Sequence, residues 1–405
     1  CTTIVRDREN TTGICCLTAA TPGMVAAALL LATPWTVMAA EWSAEPRASI
    51  MSEFNDNRSL TTGPHDSAFG YVVDAGLPLS LRNPASEISL IPRTRYQHYD
   101  DQSLDSEDYF LNLHSQLDTP VAQWQFNASG SSTSTLTTEF QDVGLVTEQK
   151  RRIGWDVNPS FKYKMTERSS FRVSGVYDNV SYDDSPNNGL VDSVYSTVDV
   201  NLSHLASERT TVSVTGLYSK FEANQSGNQT LNIGGQLGVD YQFSEKNRLT
   251  ISYGYRQTDY VITNSSVNIS DSSSGRIYNT GWLYQMETAR ISLNLTQSVL
   301  PSGFGVLIES REARIEYDQP LGQRTSSFIN AHGFQHRGLN GVGAVNDRDY
   351  GRAVVGARWR MTPYWLLFAT YAYTWQQFLN ATESASSNAV FLGVSYADRR
   401  YSWSR

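Results

Sequence analysis

The sequence predicts an all-β protein, a transmembrane antiparallel up-and-down β-barrel of about 18 strands with short periplasmic turns and longer extracellular loops. Three observations carry this expectation. Segments on the order of 10 to 15 residues alternate apolar with polar side chains, whereas globular strands usually have about 5 to 6 residues. Short connections take turns with longer ones rich in Asn, Ser, Asp and Gly. Tyr, Trp and Phe gather near strand ends, as at Tyr241 and Phe243, Trp282 and Tyr284, Trp359, Tyr364 and Trp365, and Tyr371 and Tyr373. Such amphipathic rings favour the headgroup level of a bilayer.

Composition alone hides a membrane protein. At 405 residues, 40% of them hydrophobic, the chain would ordinarily read as one or two soluble domains. Barrel strands are only half apolar, so their average stays low. A spanning helix needs about 20 apolar residues, and the only run approaching that lies from Met24 to Ala40. We read residues 1–40 as a secretory signal peptide and 41–405 as the barrel. The apolar centre is Val25 to Ala32, and the small residues of Val37-Met38-Ala39 or Met38-Ala39-Ala40 precede a cut near Glu41. The alternative is a short N-terminal membrane anchor. Cys1 to Gly23 is long for an n-region, holds Asp7 and Glu9 beside Arg6 and Arg8, and lacks an initiating Met, which points to a truncated or misassigned start.

Cys1, Cys15 and Cys16 all precede that cut, so the mature chain is expected to have neither disulfides nor a thiolate metal site. Cys15 and Cys16 also precede the apolar run instead of following it, which argues against a lipoprotein. The formal charge of −8 is unaltered by cleavage and gives no basic footprint for nucleic acid.

Following the chain from Trp42, short turns are expected at 82–85, 117–120, 165–168, 206–209, 244–247, 287–289, 320–323 and 361–363. Longer loops are expected near 55–66, 98–107, 139–150, 181–190, 221–230, 262–275, 299–305, 337–349 and 378–388. Asn, Ser, Asp and Gly favour such loops through local turn chemistry. Eight turns and nine loops leave 18 strands, an even number that returns both ends to the periplasm. A propeller would show a self-similar blade motif, and none is seen.

Successive strand side chains point to opposite faces, so the apolar face of each strand identifies its lipid side. On the seventh strand this places Arg172 and Ser174 in the lumen. The tenth places Asn232, Gln236 and Asp240 inside. The eleventh exposes Leu249, Ile251, Tyr253 and Tyr255 to lipid and turns Thr250, Ser252, Gly254 and Arg256 inward. Ile291, Leu293 and Leu295 face lipid on the thirteenth, leaving Arg290, Ser292, Asn294 and Thr296 inside. Arg314, Glu316 and Asp318 on the fourteenth strand, and Arg358 and Arg360 on the sixteenth, follow the same rule. A lipid-facing charge at the midplane costs about 2 to 4 kcal/mol, which favours a polar, partly charged lumen. Pore-lining candidates are therefore Arg172, Asp240, Arg256, Arg290, Arg314, Glu316, Arg358 and Arg360. The alternative for each is a structural ladder between neighbouring strands.

A barrel of 16 to 18 strands is wide enough for an aqueous channel. Only a few residues separate Glu41 from the first alternating segment, so this reading leaves no room for an N-terminal plug. No loop greatly exceeds about a dozen residues, from which we expect an unusually open lumen, the alternative being one narrowed by smaller, inward-curling loops.

No catalytic constellation emerges, so no enzyme activity and no cofactor are expected. His332 and His336 share a strand face about 13 Å apart, too far for easy ligation of one metal. Ser203-His204 reads as a polar strand end. The acidic loop from Tyr99 to Tyr109 suits calcium or lipopolysaccharide bridging, but it lacks EF-hand spacing and reads first as solvated charge. The sequons at Asn264 and Asn380 carry little weight if the source is bacterial.

The chain resembles the outer-membrane β-barrels of exopolysaccharide operons in Gram-negative bacteria, the EpsL-like porins. The likeness rests on Glu45-Pro46-Arg47-Ala48-Ser49 running to Asn55-Asp56-Asn57, on the long strands with Asn/Ser/Asp loops, and on Gly393-Val394-Ser395-Tyr396-Ala397-Asp398-Arg399-Arg400. It implies passage of a secreted polysaccharide, in partnership with periplasmic export proteins and within outer-membrane lipid and lipopolysaccharide. The chain ends Tyr401-Ser402-Trp403-Ser404-Arg405 instead of in the aromatic residue common to such barrels, so that Trp403 substitutes or the C-terminus is incomplete. On the conduit reading Arg256, Arg290, Arg314, Arg358 and Arg360 form a basic strip for an anionic glycan, with Asp240 and Glu316 limiting it. The alternatives are a general or sugar-selective diffusion porin for small hydrophilic solutes, with an eyelet of opposing charges, and a scaffold or adhesin with a filled lumen.

Overall fold

The computed structural model describes residues 40–136, 149–185, 189–224, 226–264, 267–339, 347–398 and 401–404. The expected signal segment through residue 39 lies outside the described residues.

Every strand pairs antiparallel with its sequence neighbours, and the last returns to the first, which closes an 18-strand barrel. β1 runs as Glu41–Ala44 and Arg47–Asn55, and β2 as Ala68–Gly76 and Leu79–Arg82. Both break beside a proline, at Pro46 and Pro78, where the missing N–H cannot join the ladder. The Glu45 N–H donates to Pro78 O at 2.9 Å, so the two breaks support one another. There follow β3 (Ser86–Tyr99), β4 (Ser106–Asp118), β5 (Ala122–Ser134), β6 (Arg151–Lys164), β7 (Ser169–Tyr182), β8 (Ser193–Ser207) and β9 (Thr210–Ala223). The circuit continues through β10 (Asn228–Ser244), β11 (Asn247–Asn264), β12 (Val267–Gln285), β13 (Arg290–Pro301), β14 (Leu307–Pro320) and β15 (Thr325–Gly338). It ends with β16 (Arg348–Arg360), β17 (Trp365–Phe378) and β18 (Ala385–Ala397), the last extended by Tyr401–Ser404. That extension pairs with the start of β1, Trp403 opposite Trp42.

One expected loop is a correction. Residues 262–264 and 267–275 belong to strands, because β11 and β12 pair as far as Asn264 opposite Val267, while 265 and 266 lie outside the described residues. Ser, Thr and Asn tolerate a strand when the neighbouring strand satisfies the backbone, and loop chemistry alone therefore misjudged these strand ends.

The outer face is apolar, with Leu237 68% exposed and Val214, Ile233, Tyr253 and Leu392 also exposed. Near the turns the rings pair along or across strands, Tyr241 edge-on to Phe243 at 4.6 Å and Trp282 stacked on Tyr284 at 6.1 Å. A closed ladder satisfies the backbone without water, and the apolar exterior needs lipid around it. The protein is thus an integral outer-membrane β-barrel. Leu237→Arg is expected to cost about 2–4 kcal/mol of stability in lipid, as for other lipid-facing charges. Urea unfolding in bilayers, compared with the inward substitution Gln236→Arg, measures it. The inward change should cost far less.

Candidate functional site: the lumen and its extracellular mouth

Inward-facing side chains differ between the two halves of the barrel. Near the short turns, Arg290, Asp318 and Arg360 are exposed to the lumen. Near the loops, inward residues are buried, among them Glu53, Gln97, Tyr99, Phe221, Arg256, Phe334 and Arg348. Backbone segments folded inside the extracellular half cover them.

The first is the loop between β1 and β2, residues 56–67. Leu60 is 3% exposed and clusters with Phe334, Tyr350 and Ala385, on the inner faces of β15, β16 and β18. Its carbonyl accepts from Gln376 Nε2 at 2.8 Å. Asn57 Nδ2 donates to Ser386 O at 3.0 Å. Between these two residues, Arg58 reaches Glu53 Oε1 at 2.8 Å and Gln97 Oε1 at 3.1 Å, with its guanidinium 4.0 Å from the Tyr99 ring centroid. The loop thus ties β1 and β3 to β15 across the inside of the barrel.

The second is the tip of the β13–β14 hairpin. β13 pairs with β12 only from Gln285↔Arg290 to Tyr278↔Gln297 and then leaves it, while continuing to pair with β14 as far as Pro301↔Leu307. The tip turns into the lumen. Val299 and Leu307 pack with Phe221 and Ala223 on the inner face of β9, and Phe304 packs against Val180, Tyr182 and Leu190. Gly305 has a left-handed φ of +74°, and a Cβ there would lie 3.1 Å from those of Ala223 and Val191, so glycine alone suits this position.

Arg256 tethers the tip. Its Nη2 donates to Glu309 Oε2 on β14 at 3.1 Å, and its Nη1 donates to Thr258 Oγ1, which in turn donates to Asn232 Oδ1. Gly275 stands opposite Arg256 in the ladder, and a Cβ there would come within 3.1 Å of Nη2.

All eight sequence candidates lie on inward-facing positions of their strands, although their surroundings differ. Arg256 is 1% exposed and is covered by the hairpin tip, away from open water. Asp240 accepts from Arg248 Nε at 2.9 Å and Nη2 at 2.6 Å, and from Thr250. Arg314 Nη2 lies 3.0 Å from Glu312 Oε1, which also lies 2.9 Å from His332 Nε2. Glu316 accepts from Ser292 at 3.2 Å. Arg358 lies 3.4 Å from Asp318 Oδ1 and 4.0 Å over the Phe328 ring. Arg290 stands opposite Asp318 in the ladder, while Arg360 ends β16. Arg172 stands opposite Lys162 on β6. The expected strip is therefore mixed in sign, because the period of two that turns Arg314 inward also turns Glu312, Glu316 and Asp318 inward.

Sequence reasoning missed the opposite wall. There Arg93 Nε donates to both Asp74 oxygens at 2.8 Å and Arg95 Nε reaches the same carboxylate at 3.2 Å. Arg93 and Arg95, two apart on one strand, are a parity signal that could have found it. Other expected features have local roles. In the acidic loop Asp101 caps a 3₁₀ turn at Gln102–Leu104, and Asp105 accepts from the Tyr99 N–H and contacts His98. His204 and Ser203 hydrogen-bond across to Ser169 and Ser170. Among the described residues no group of three or more His, Cys, Asp or Glu is placed to hold a metal.

No protein family matches the sequence, and no curated protein matches it. Among solved structures, the chain is similar to Pseudomonas aeruginosa OccK7 (OpdD) at 10% identity and a TM-score of 0.47, covering 89% of this chain and 99% of that one. It is also similar to the same organism's OccK2 (OpdF), determined in complex with glucuronate, at 7% identity and 0.45, covering 89% and 98%. For the ferric-catecholate import receptor Fiu from E. coli K12 the values are 10% and 0.43, covering 88% and 81%.

Proposed function

We propose that this protein is an outer-membrane diffusion channel for small hydrophilic solutes, narrowed at its extracellular mouth. The observation that carries this reading is the contrast between the two halves of the lumen. Charged inward residues are exposed near the periplasmic turns, while loop 56–67 and the β13–β14 tip fold inside the opposite half. Inward-folded segments of this kind narrow a wide barrel to solute size. The expected open lumen therefore gives way to a restricted one. A polymer conduit would require both segments to be displaced, and nothing in the comparisons connects the chain to exopolysaccharide operons.

The test is solute entry into liposomes containing the folded protein. Mono- and disaccharides should enter at rates falling with size, and long polysaccharides should be excluded. Equal exclusion of monosaccharides would overturn the reading.

A further inference from the structure

Many lumenal arginines are matched by a carboxylate, as at Arg93 with Asp74, Arg248 with Asp240, Arg256 with Glu309 and Arg314 with Glu312. Lys162 and Arg172 differ. They stand directly opposite one another on β6 and β7, both facing inward, and neither makes an ion pair among the described residues. The acid nearest in register on that face is Asp199, opposite Ser174, and its carboxylate already accepts from Ser174 Oγ at 2.7 Å. Like charges directly opposite on paired strands are destabilising. Two cations side by side on a wet wall, neither of them in an ion pair among the described residues, suit an anionic guest.

The surroundings define that guest. Lys162 and Arg172 line a recess of about 310 Å³ on the inner wall, together with Ser170, Asn201, Ser203 and Ser213. Asp240 and Arg248 also border it, but they neutralise one another. Ser170 Oγ and Ser203 Oγ are 2.7 Å apart, and Asn201 Nδ2 donates to Thr215 Oγ1 at 2.7 Å, which holds these polar groups in place.

We propose that Lys162 and Arg172 form a binding site for a compact divalent oxyanion of the phosphate monoester class, whose hydroxyl groups meet Ser170, Asn201, Ser203 and Ser213. This rests on the channel reading and gives it a substrate class. Opposed Cβ atoms about 5 Å apart let both cationic heads converge on one tetrahedral group. The Arg fork donates to two oxygens while Lys supplies a point charge to a third. A phosphate monoester carries about −1.5 to −2 at neutral pH and matches both charges. A monocarboxylate leaves one of them uncompensated.

Calorimetric titration of inorganic phosphate into the folded protein in detergent tests this, with acetate at equal ionic strength as the comparison. Phosphate should bind saturably and roughly tenfold or more tighter than acetate. Lys162→Gln and Arg172→Gln should each weaken it about tenfold, and Arg172→Lys should weaken it less. Phosphate binding no tighter than acetate, or binding unchanged in the double Gln variant, overturns the proposal. Because the readout is equilibrium binding, it separates the two claims. A conducting barrel without phosphate binding loses the site alone, and phosphate binding without solute passage loses the channel alone.

Discussion

Glu309→Gln is expected to raise the single-channel conductance severalfold and to introduce slow fluctuations. Glu309 is the carboxylate on the folded hairpin that pairs with Arg256, a guanidinium 1% exposed on the wall beneath it. Neutralising it leaves a buried charge without a matching anion, and breaking such a pair from one side costs about 3–5 kcal/mol. The barrel can avoid that cost by releasing the tip, because water then reaches Arg256. The apolar contacts of Val299, Phe304 and Leu307 oppose release, so the tip should exchange between seated and open positions instead of remaining out. Replacing both partners, as Arg256→Gln with Glu309→Gln, should restore much of the quiet low conductance, since no buried charge then lacks a partner and Arg311, which Glu309 also meets at 3.0 Å, is exposed to water. Bilayer recordings of the three proteins check this. Equal conductance in Glu309→Gln and the unaltered protein would mean that the pair does not hold the tip.

Leu60→Ala should open the other side of the mouth. Leu60 holds a backbone φ of +48°, which side chains other than glycine adopt at a cost of about 1–2 kcal/mol. Its packing against Phe334, Tyr350 and Ala385 offsets that cost. Truncation to Ala removes about 2–5 kcal/mol of burial and retains the unfavourable φ. The loop should leave the wall and carry Arg58 with it. Limited trypsin digestion reads this directly, with cleavage after Arg58 expected to accelerate severalfold while the barrel strands stay intact. Unchanged cleavage would show that the polar contacts of Asn57, Arg58 and the Leu60 carbonyl hold the loop without the Leu60 side chain.

The barrel was legible in the sequence because its cause is local. A period of two, repeated over strands long enough to cross a bilayer, specifies both the sheet and its lipid face. The same period of two turns Arg172, Asp240, Arg314 and Arg358 to one side of their strands. The state of those side chains was not legible, since parity says nothing of what crosses the lumen from a distant strand. Arg256 shows the difference. Its inward direction follows from β11, but its burial depends on Glu309, 53 positions later in the chain. A sequence signal for the folded tip did exist. Val299-Leu300-Pro301-Ser302-Gly303-Phe304-Gly305-Val306-Leu307-Ile308 is far more apolar than a water-facing loop requires. Loop length, the criterion used to expect an open lumen, does not report this. Leu60 offers a weaker signal, being one apolar side chain in an otherwise polar loop.

The most direct test of the account is the single-channel conductance of the folded protein in planar bilayers, recorded beside a variant in which residues 302–306 are deleted and the strand ends rejoined by a short glycine turn. A lumen narrowed by the hairpin gives small, stable steps for the unaltered protein and markedly larger ones for the variant. Absence of conductance in both, with the barrel demonstrably folded, would contradict a water-filled lumen narrowed by the hairpin.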